Sequence, residues 1–377
     1  MKIFRNFSVI LTISIVLIVS MEVIARYAVK YYKWNPDYFM FNYSDEDIKK
    51  IYNTDNPKFY REVLGEGWGN GVSVIYEPFV EFLSFPFQGK HVTITEQGFR
   101  STPDGPASLD VPGRKIFMFG GSTGFGLGVS DKETIAYYLE EMLRESGLDD
   151  VTVFNFSVVG HFSTQERVYF ERLLNQGHTP DAAVFIDGHN EFIFCDVPDR
   201  TGQSDKIEKL FKGPSRVTFL QTLKRRSNVV KLVNHLTGAR KIDPRVTVQC
   251  TGGDDEVLPI IQRLNSNRRI ISAIAEEYGI TPVFVQQPVV SYAFDRSTFP
   301  VRVNGETLIL DISMGMKKGY QIMSERRDKG EIFDRNVLWL EKEKIEQNQY
   351  IDGVHYSPQF HRRIALRIKE FLLPRLK

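Results

Sequence analysis

The chain has 377 residues, long enough to bury a sizeable core in one elaborated domain or two small ones. It carries 48 lysines and arginines against 47 aspartates and glutamates, a formal net charge of +1. That balance, with no run of basic residues, argues against a nucleic-acid partner.

The first element is apolar. Phe7 to Met21 is almost wholly hydrophobic, and the pattern runs on to Ala25 with Glu22 as its one charge. About 19 residues make a helix of about 28 Å, enough to cross a bilayer core. A buried core helix of that length shows a polar face, and this one shows none. Lys2 and Arg5 precede it, and Tyr27, Tyr31, Tyr32 and Trp34 follow as an interfacial belt. Residues 1–34 therefore read as a single-pass membrane anchor and its flank, with the body outside the cytoplasm, on the periplasmic side. Arg26, Lys30 and Lys33 on the far side pull against that orientation. Val23-Ile24-Ala25 also fits a weak cleavage site, so a signal peptide is the alternative. Either way the body is exported, and there Cys195 and Cys250 form either a disulfide or two unrelated thiols.

Residues 35–110 are rich in aromatics, Gly and Pro, with strand-like runs at Val72 to Tyr76 and His91 to Thr95. They read as a β-rich, membrane-proximal arm packing on the main domain. From Lys115 strands and helices alternate. Strands are expected at 115–119, 151–156, 182–186 and 282–286, and helices at about 131–146, 163–176, 262–278 and 358–372. Such alternation implies a parallel sheet covered on both faces. Polar excursions at about 196–260 and 291–345 interrupt it.

The first of these strands ends in Gly120-Gly-Ser-Thr-Gly-Phe-Gly-Leu-Gly128. The glycines do not have the spacing of a dinucleotide site, and no Lys-Ser or Lys-Thr follows to make a phosphate loop. Nor is this read as a nucleophile elbow: Gly120, Ser122 and Gly124 stand two apart, but without the sheet context an elbow needs. Taken singly, Ser122 also suits a plain tight turn.

The later junctions change that reading. Asn155-Phe-Ser-Val-Val-Gly160 follows the second strand, Asp187-Gly-His-Asn190-Glu the third, and Tyr350-Ile-Asp352-Gly-Val-His355 precedes the last helix. In a parallel sheet all four loops open on one edge. A serine hydroxyl needs a base, which His355 supplies, and Asp352 three residues earlier holds the imidazole tautomer. The Ser122 and Gly160 N–H groups and the Asn190 amide are candidate oxyanion donors. The plainer readings are Asn190 as a helix cap, Asp352 as a turn residue and His355 as a structural histidine. His161 and His189 read as surface or supporting residues. His91, His178, His235 and His361 show no ligand spacing, so neither metal nor cofactor is expected.

These blocks resemble the SGNH (GDSL-type) hydrolase superfamily, including its membrane-tethered bacterial members, in which Gly98-Phe-Arg100 also recurs. Gly120-Gly-Ser-Thr123 stands at the Gly-Asp-Ser block, with Gly121 in place of Asp. Gly160 matches the second block, Gly188-His-Asn190-Glu the third, with Glu191 for Asp, and Asp352-Gly-Val-His355 the last. The match covers about 115–190 and 265–372, in order. The resemblance implies a flavodoxin-like three-layer α/β/α sandwich over 111–377 and a cofactor-free serine esterase. Ser122, His355 and Asp352 are its implied triad, and Ser122, Gly160 and Asn190 its implied oxyanion hole. An O-acylated envelope glycan is the implied substrate class. O-acyl transfer by the same residues, or a non-catalytic glycan-binding subunit, are the alternatives.

Overall fold

A computed structural model describes residues 2–31, 40, 43–103, 105–192, 227, 229, 233, 252–293, 302–303, 306–307, 313–343 and 349–376. Cys195, Cys250, Tyr32, Trp34 and most of the excursion expected at 196–260 lie outside these residues. The chain divides into two units, Met1–Tyr43 with Asp205–Thr247, and Ser44–Ser204 with Val248–Lys377.

In the first unit the expected apolar segment is one helix, α1 (Lys2–Tyr31). Most of its described apolar side chains are exposed, among them Ile10, Val16, Ile18 and Ile24, while Ala25 is buried. Its one acidic residue, Glu22, accepts from the Ser227 hydroxyl at 2.8 Å. Among the described residues no helix is long and apolar enough to cross a membrane.

The second unit opens with α2 (Asp45–Tyr52) and α3 (Pro57–Leu64). Ser44 and Asp47 close a capping box on α2, and Asn56 with Pro57 starts α3. The Tyr52 and Tyr60 rings stack at 3.8 Å and tie the pair together. A six-residue π-helical turn follows (Gly65–Asn70), then two antiparallel hairpins. These are β1 (Val74–Glu77) with β2 (Glu81–Ser84), and β3 (Phe87–Gln88) with β4 (Thr93–Ile94). The arm expected to be β-rich is thus helical in its first half. Eight-residue helices with three buried apolar positions each are too short to show a period.

The central sheet holds β5 (Lys115–Gly120), β6 (Thr152–Asn155), β7 (Ala182–Asp187), β8 (Thr281–Gln286) and β11 (Val337–Trp339). All are parallel, in the order β11-β8-β7-β5-β6. Counted along the chain this is 2-1-3-4-5, the flavodoxin-like order, with its switch point between β5 and β7. Between the strands run the one-turn α4 (Ser122–Phe125), α5 (Ile135–Glu145), α6 (Ser163–Asn175), α7 (Asp254–Glu277) and the short α8 (Val290–Ala293). A two-strand ladder, β9 (Arg302–Val303) with β10 (Glu306–Thr307), precedes α9 (Ser313–Asp328), and α10 (Pro358–Leu376) closes the chain. The excursion expected at 291–345 therefore contains α9 and the edge strand β11, which complete the alternation.

Every residue from Ile116 to Phe119 is fully buried, which is why the run reads as continuously apolar. Phe117 and Phe119 join Phe154, Phe156, Phe170, Phe185 and Phe284 in one core on the face that α6 and α7 cover. Helices α5 and α10 pack against each other on the opposite face. Burying each such ring is worth about 1.5–3 kcal/mol. A rigid β5 fixes where Ser122 emerges.

Candidate active site

Ser122 begins α4 immediately after β5 and lies at the carboxyl edge of the sheet, beside the switch point. Its turn is held from several sides. The Asn155 amide donates to the Gly124 carbonyl at 3.0 Å, and the Thr123 hydroxyl donates to Gln287 at 2.8 Å. Arg100, 2% exposed, donates to the carbonyls of Phe125, Gly126 and Val129 at 2.9, 2.6 and 2.7 Å. It also pairs with Asp131 at 2.9 Å. Burial pushes the Asp131 carboxyl up, and the Arg100 charge opposes that.

His355 arrives on the turn before α10. A bridge between Tyr350 and Tyr356, with the Ile351 N–H donating to the His355 carbonyl at 2.8 Å, closes a tight loop around Asp352. Both tyrosine hydroxyls donate to the Pro288 carbonyl, which anchors the loop to the end of β8. Asp352 Oδ1 accepts from the Val354 and His355 main chain at 2.7 and 2.6 Å. Asp352 Oδ2 takes the His355 Nδ1–H at 2.6 Å. Nε2 is left to accept from the Ser122 hydroxyl, 2.9 Å away. Burial alone would raise the Asp352 carboxyl. The His355 charge and the donors around it instead hold it below the usual carboxylate range.

Asn190 starts the single turn after β7, and its Nδ2 donates to the His161 carbonyl at 2.6 Å. That amide lies against the Cα of Gly121, so a side chain at position 121 would collide with it and with the His161 carbonyl. Gly160 has φ +94, in the left-handed region, one residue before that carbonyl. The structure thus joins Ser122, His355 and Asp352 by hydrogen bonds and sets Asn190 against Gly121, the residue before Ser122. Gly160 enters the same cluster through the carbonyl of its neighbour.

Reasoning from sequence passed over several neighbours. His161 and His189 are not at the surface; both are buried, and burial pushes each down to about 4, so both are neutral at pH 7. The nearby His355 adds to the depression at His189. His161 Nε2 donates to the Phe82 carbonyl at 2.8 Å, so hairpin β1–β2 reaches this edge of the sheet. Glu191 accepts from the Ser163 N–H at 2.6 Å, at the start of α6, and pairs with Arg263 at 3.0 Å. Beneath it burial, with the Glu191 charge, pushes Asp187 up to about 7. Trp68, from the π-helical turn, packs edge-to-face on His355 with ring centroids 5.2 Å apart. Its sequence signal was a tryptophan among glycines, Gly65-Glu-Gly-Trp-Gly. Among the described residues no group of three or more His, Cys, Asp or Glu side chains is placed to hold a metal ion.

The chain is similar to solved esterase structures. One is the psychrotrophic esterase EstA from Pseudoalteromonas sp., 11% identical over 70% of this chain and 98% of that one, with a TM-score of 0.35. A second is a member of the lipolytic G-D-S-L family from Veillonella parvula, 11% identical over 68% and 97%, TM-score 0.35. A third is an acetyl xylan esterase from Geobacillus stearothermophilus, 11% identical over 70% and 97%, TM-score 0.36. No family model and no curated protein matches the chain.

Proposed function

We propose that this chain is a serine hydrolase of ester bonds, with Ser122 as nucleophile, His355 as base and Asp352 as its orienter. One observation carries the reading: an unbroken hydrogen-bonded line from Asp352 through His355 to Ser122, at 2.6 and 2.9 Å. The Ser122 oxygen attacks the ester carbonyl carbon while its proton passes to His355 Nε2, and the carbonyl electron pair moves onto oxygen. The Ser122 and Gly160 N–H groups and the Asn190 amide receive that oxyanion, Asn190 exchanging its His161 partner for it. As the intermediate collapses, the alcohol leaves with the proton from Nε2 and the acyl group stays on Ser122. Water, activated by the same imidazole, then releases the acid. A sugar hydroxyl in place of water makes the reaction an acyl transfer.

The substrate class we propose is an O-acylated envelope glycan, acted on by a body tethered outside the cytoplasm through the N-terminal helix. The tether rests on the sequence alone, on the apolar run Phe7 to Met21 after Lys2 and Arg5. A fluorophosphonate probe tests the chemistry, because only an activated serine oxygen displaces its fluoride. The full chain in detergent is expected to be labelled and to hydrolyse p-nitrophenyl acetate, and Ser122→Ala to do neither. Labelling that persists in Ser122→Ala removes Ser122 as nucleophile. Alkaline phosphatase fused to the C-terminus is expected to be active in a bacterial host, and an inactive fusion reverses the topology.

A further inference from the structure

We infer that Trp68 is a positioning residue for the His355 imidazole, which makes the π-helical turn of the arm part of the active site. The inference rests on the esterase reading for its kinetics, though not for its geometry. Three observations carry it.

The first is placement. The indole meets the imidazole edge-to-face at an interplanar angle of 83°, and the His355 side chain is left only 13% exposed. The two hydrogen bonds of the imidazole fix its edges; a ring packed across it restrains its tilt. The second is what else the indole touches. Its Cζ3 and Cη2 lie over Gly128, where a Cβ would come within 2.7 Å of both, and Ile351 Cδ1 is equally close to that point. Gly128 has φ +94, so the position suits glycine on backbone grounds as well. Trp68 therefore bears on the segment that follows the nucleophile and, beside Ile351, on the turn that carries Asp352 and His355.

The third is how firmly the indole is held. The Glu66 carboxylate accepts the N–H groups of Lys90, His91 and Val92, each at 2.9 Å, and clamps the turn to the loop before β4. The Val72 N–H donates back to the Glu66 carbonyl at 3.2 Å. Nearby, the Tyr52 hydroxyl donates to the Gly128 carbonyl at 3.0 Å. A π-helical turn is a rare conformation that occurs frequently at functional sites. Here it aims a large apolar ring at the base and shields the Asp352–His355 bond from water, which strengthens that bond.

The test uses the full chain in detergent with Trp68→Ala, Trp68→Leu and Trp68→Phe, melting temperature confirming that each folds. In Trp68→Ala and Trp68→Leu, kcat on p-nitrophenyl acetate and the fluorophosphonate labelling rate are expected to fall about 10–100-fold. KM is expected to stay within about threefold, because substrate binding is not what is lost. Trp68→Phe, which keeps a ring, should recover most of the rate. A second readout needs no turnover: the downfield proton NMR signal of His355 Nδ1–H, assigned by its loss in His355→Gln. It should exchange faster with water in Trp68→Ala and Trp68→Leu than in the native chain or Trp68→Phe. If the native chain is inert to the probe but this exchange pattern appears, the esterase reading fails and the positioning role stands. If the native chain is labelled but kcat and exchange are unchanged in Trp68→Ala, or the whole loss lies in KM, Trp68 does not position the base.

Discussion

At the residue scale, the two departures from the motif blocks that the sequence resembles have local causes. Gly121 stands where the related block has Asp, and the Asn190 amide occupies the space a side chain there would need. Glu191, also in place of Asp, reaches the first N–H of α6 and the Arg263 guanidinium, so it fastens the Asn190 turn to two helices. Asn190 is the residue on which the cap reading and the oxyanion reading differ in outcome. If it only tied the turn to His161, Asn190→Ala would cost stability and spare turnover. As an oxyanion donor it acts where charge has developed, so Asn190→Ala should lower kcat by about 10²–10³-fold with KM nearly unchanged. Asn190→Asp, which sets a carboxylate against the oxyanion, should lose at least as much. Steady-state kinetics with melting curves on the three proteins decide it; a destabilised Asn190→Ala with native kcat leaves Asn190 a tie and no donor.

At the scale of elements, the arm and the sheet meet through Arg100, whose guanidinium serves three carbonyls of the turn after Ser122 and the Asp131 carboxylate. A lysine keeps the charge but not the fork, so it leaves buried carbonyls unpaired. Arg100→Lys should therefore cost about 1–3 kcal/mol in urea denaturation and also slow fluorophosphonate labelling. Native labelling in a destabilised variant would confine Arg100 to the fold. The parts of the molecule that were legible in the sequence follow the same division. The strands at β5, β6, β7 and β8 showed as short, mostly apolar runs, and α5, α6 and α7 are each followed closely by a glycine, Gly147, Gly177 and Gly279. The hydrogen-bonded line of Ser122, His355 and Asp352 was legible because its members sit in short motifs, one after β5 and one in the turn before α10. Strand β11 was hidden by having only three residues. In α9 the core positions Met316, Tyr320 and Met323 are diluted among Lys, Arg, Ser and Gly. In α2 and α3 the caps at Ser44 and Asn56 were present in the sequence, but the helices end before a period develops. The contact of Trp68 with His355 could not be read from the sequence, since it comes from packing across segments far apart in the chain.

For the whole molecule, three buried histidines lower stability in acid, and two buried carboxyls, Asp187 and Glu166, oppose them. Burial pushes His161 and His189 down to about 4 and His361 down to about 3. Unfolded, each takes up its proton near the ordinary histidine value of 6.5, so below that pH the unfolded state binds more protons. Stability therefore falls as the pH drops from about 6.5 towards 3–4, by about 1.4 kcal/mol per pH unit for each proton. Asp187, raised to about 7, has the opposite sign, because its folded form holds a proton between about 4 and 7. It offsets one histidine across that window and lowers stability as the pH approaches 7. Neither ring nitrogen of His361 has a hydrogen-bond partner among the described residues. His361→Phe should then flatten the fall in melting temperature between pH 6.5 and 4, with a smaller change at pH 8. An unaltered acid limb would show that His361 titrates normally. Ser122 and His355, finally, are 233 residues apart in the chain. At about 5–20 residues per second a ribosome takes about 10–50 s to travel from one to the other. Throughout that interval the Ser122 hydroxyl exists without its His355 partner, so on the reading proposed above a growing chain has no activity towards esters until the turn carrying His355 has folded back onto the sheet.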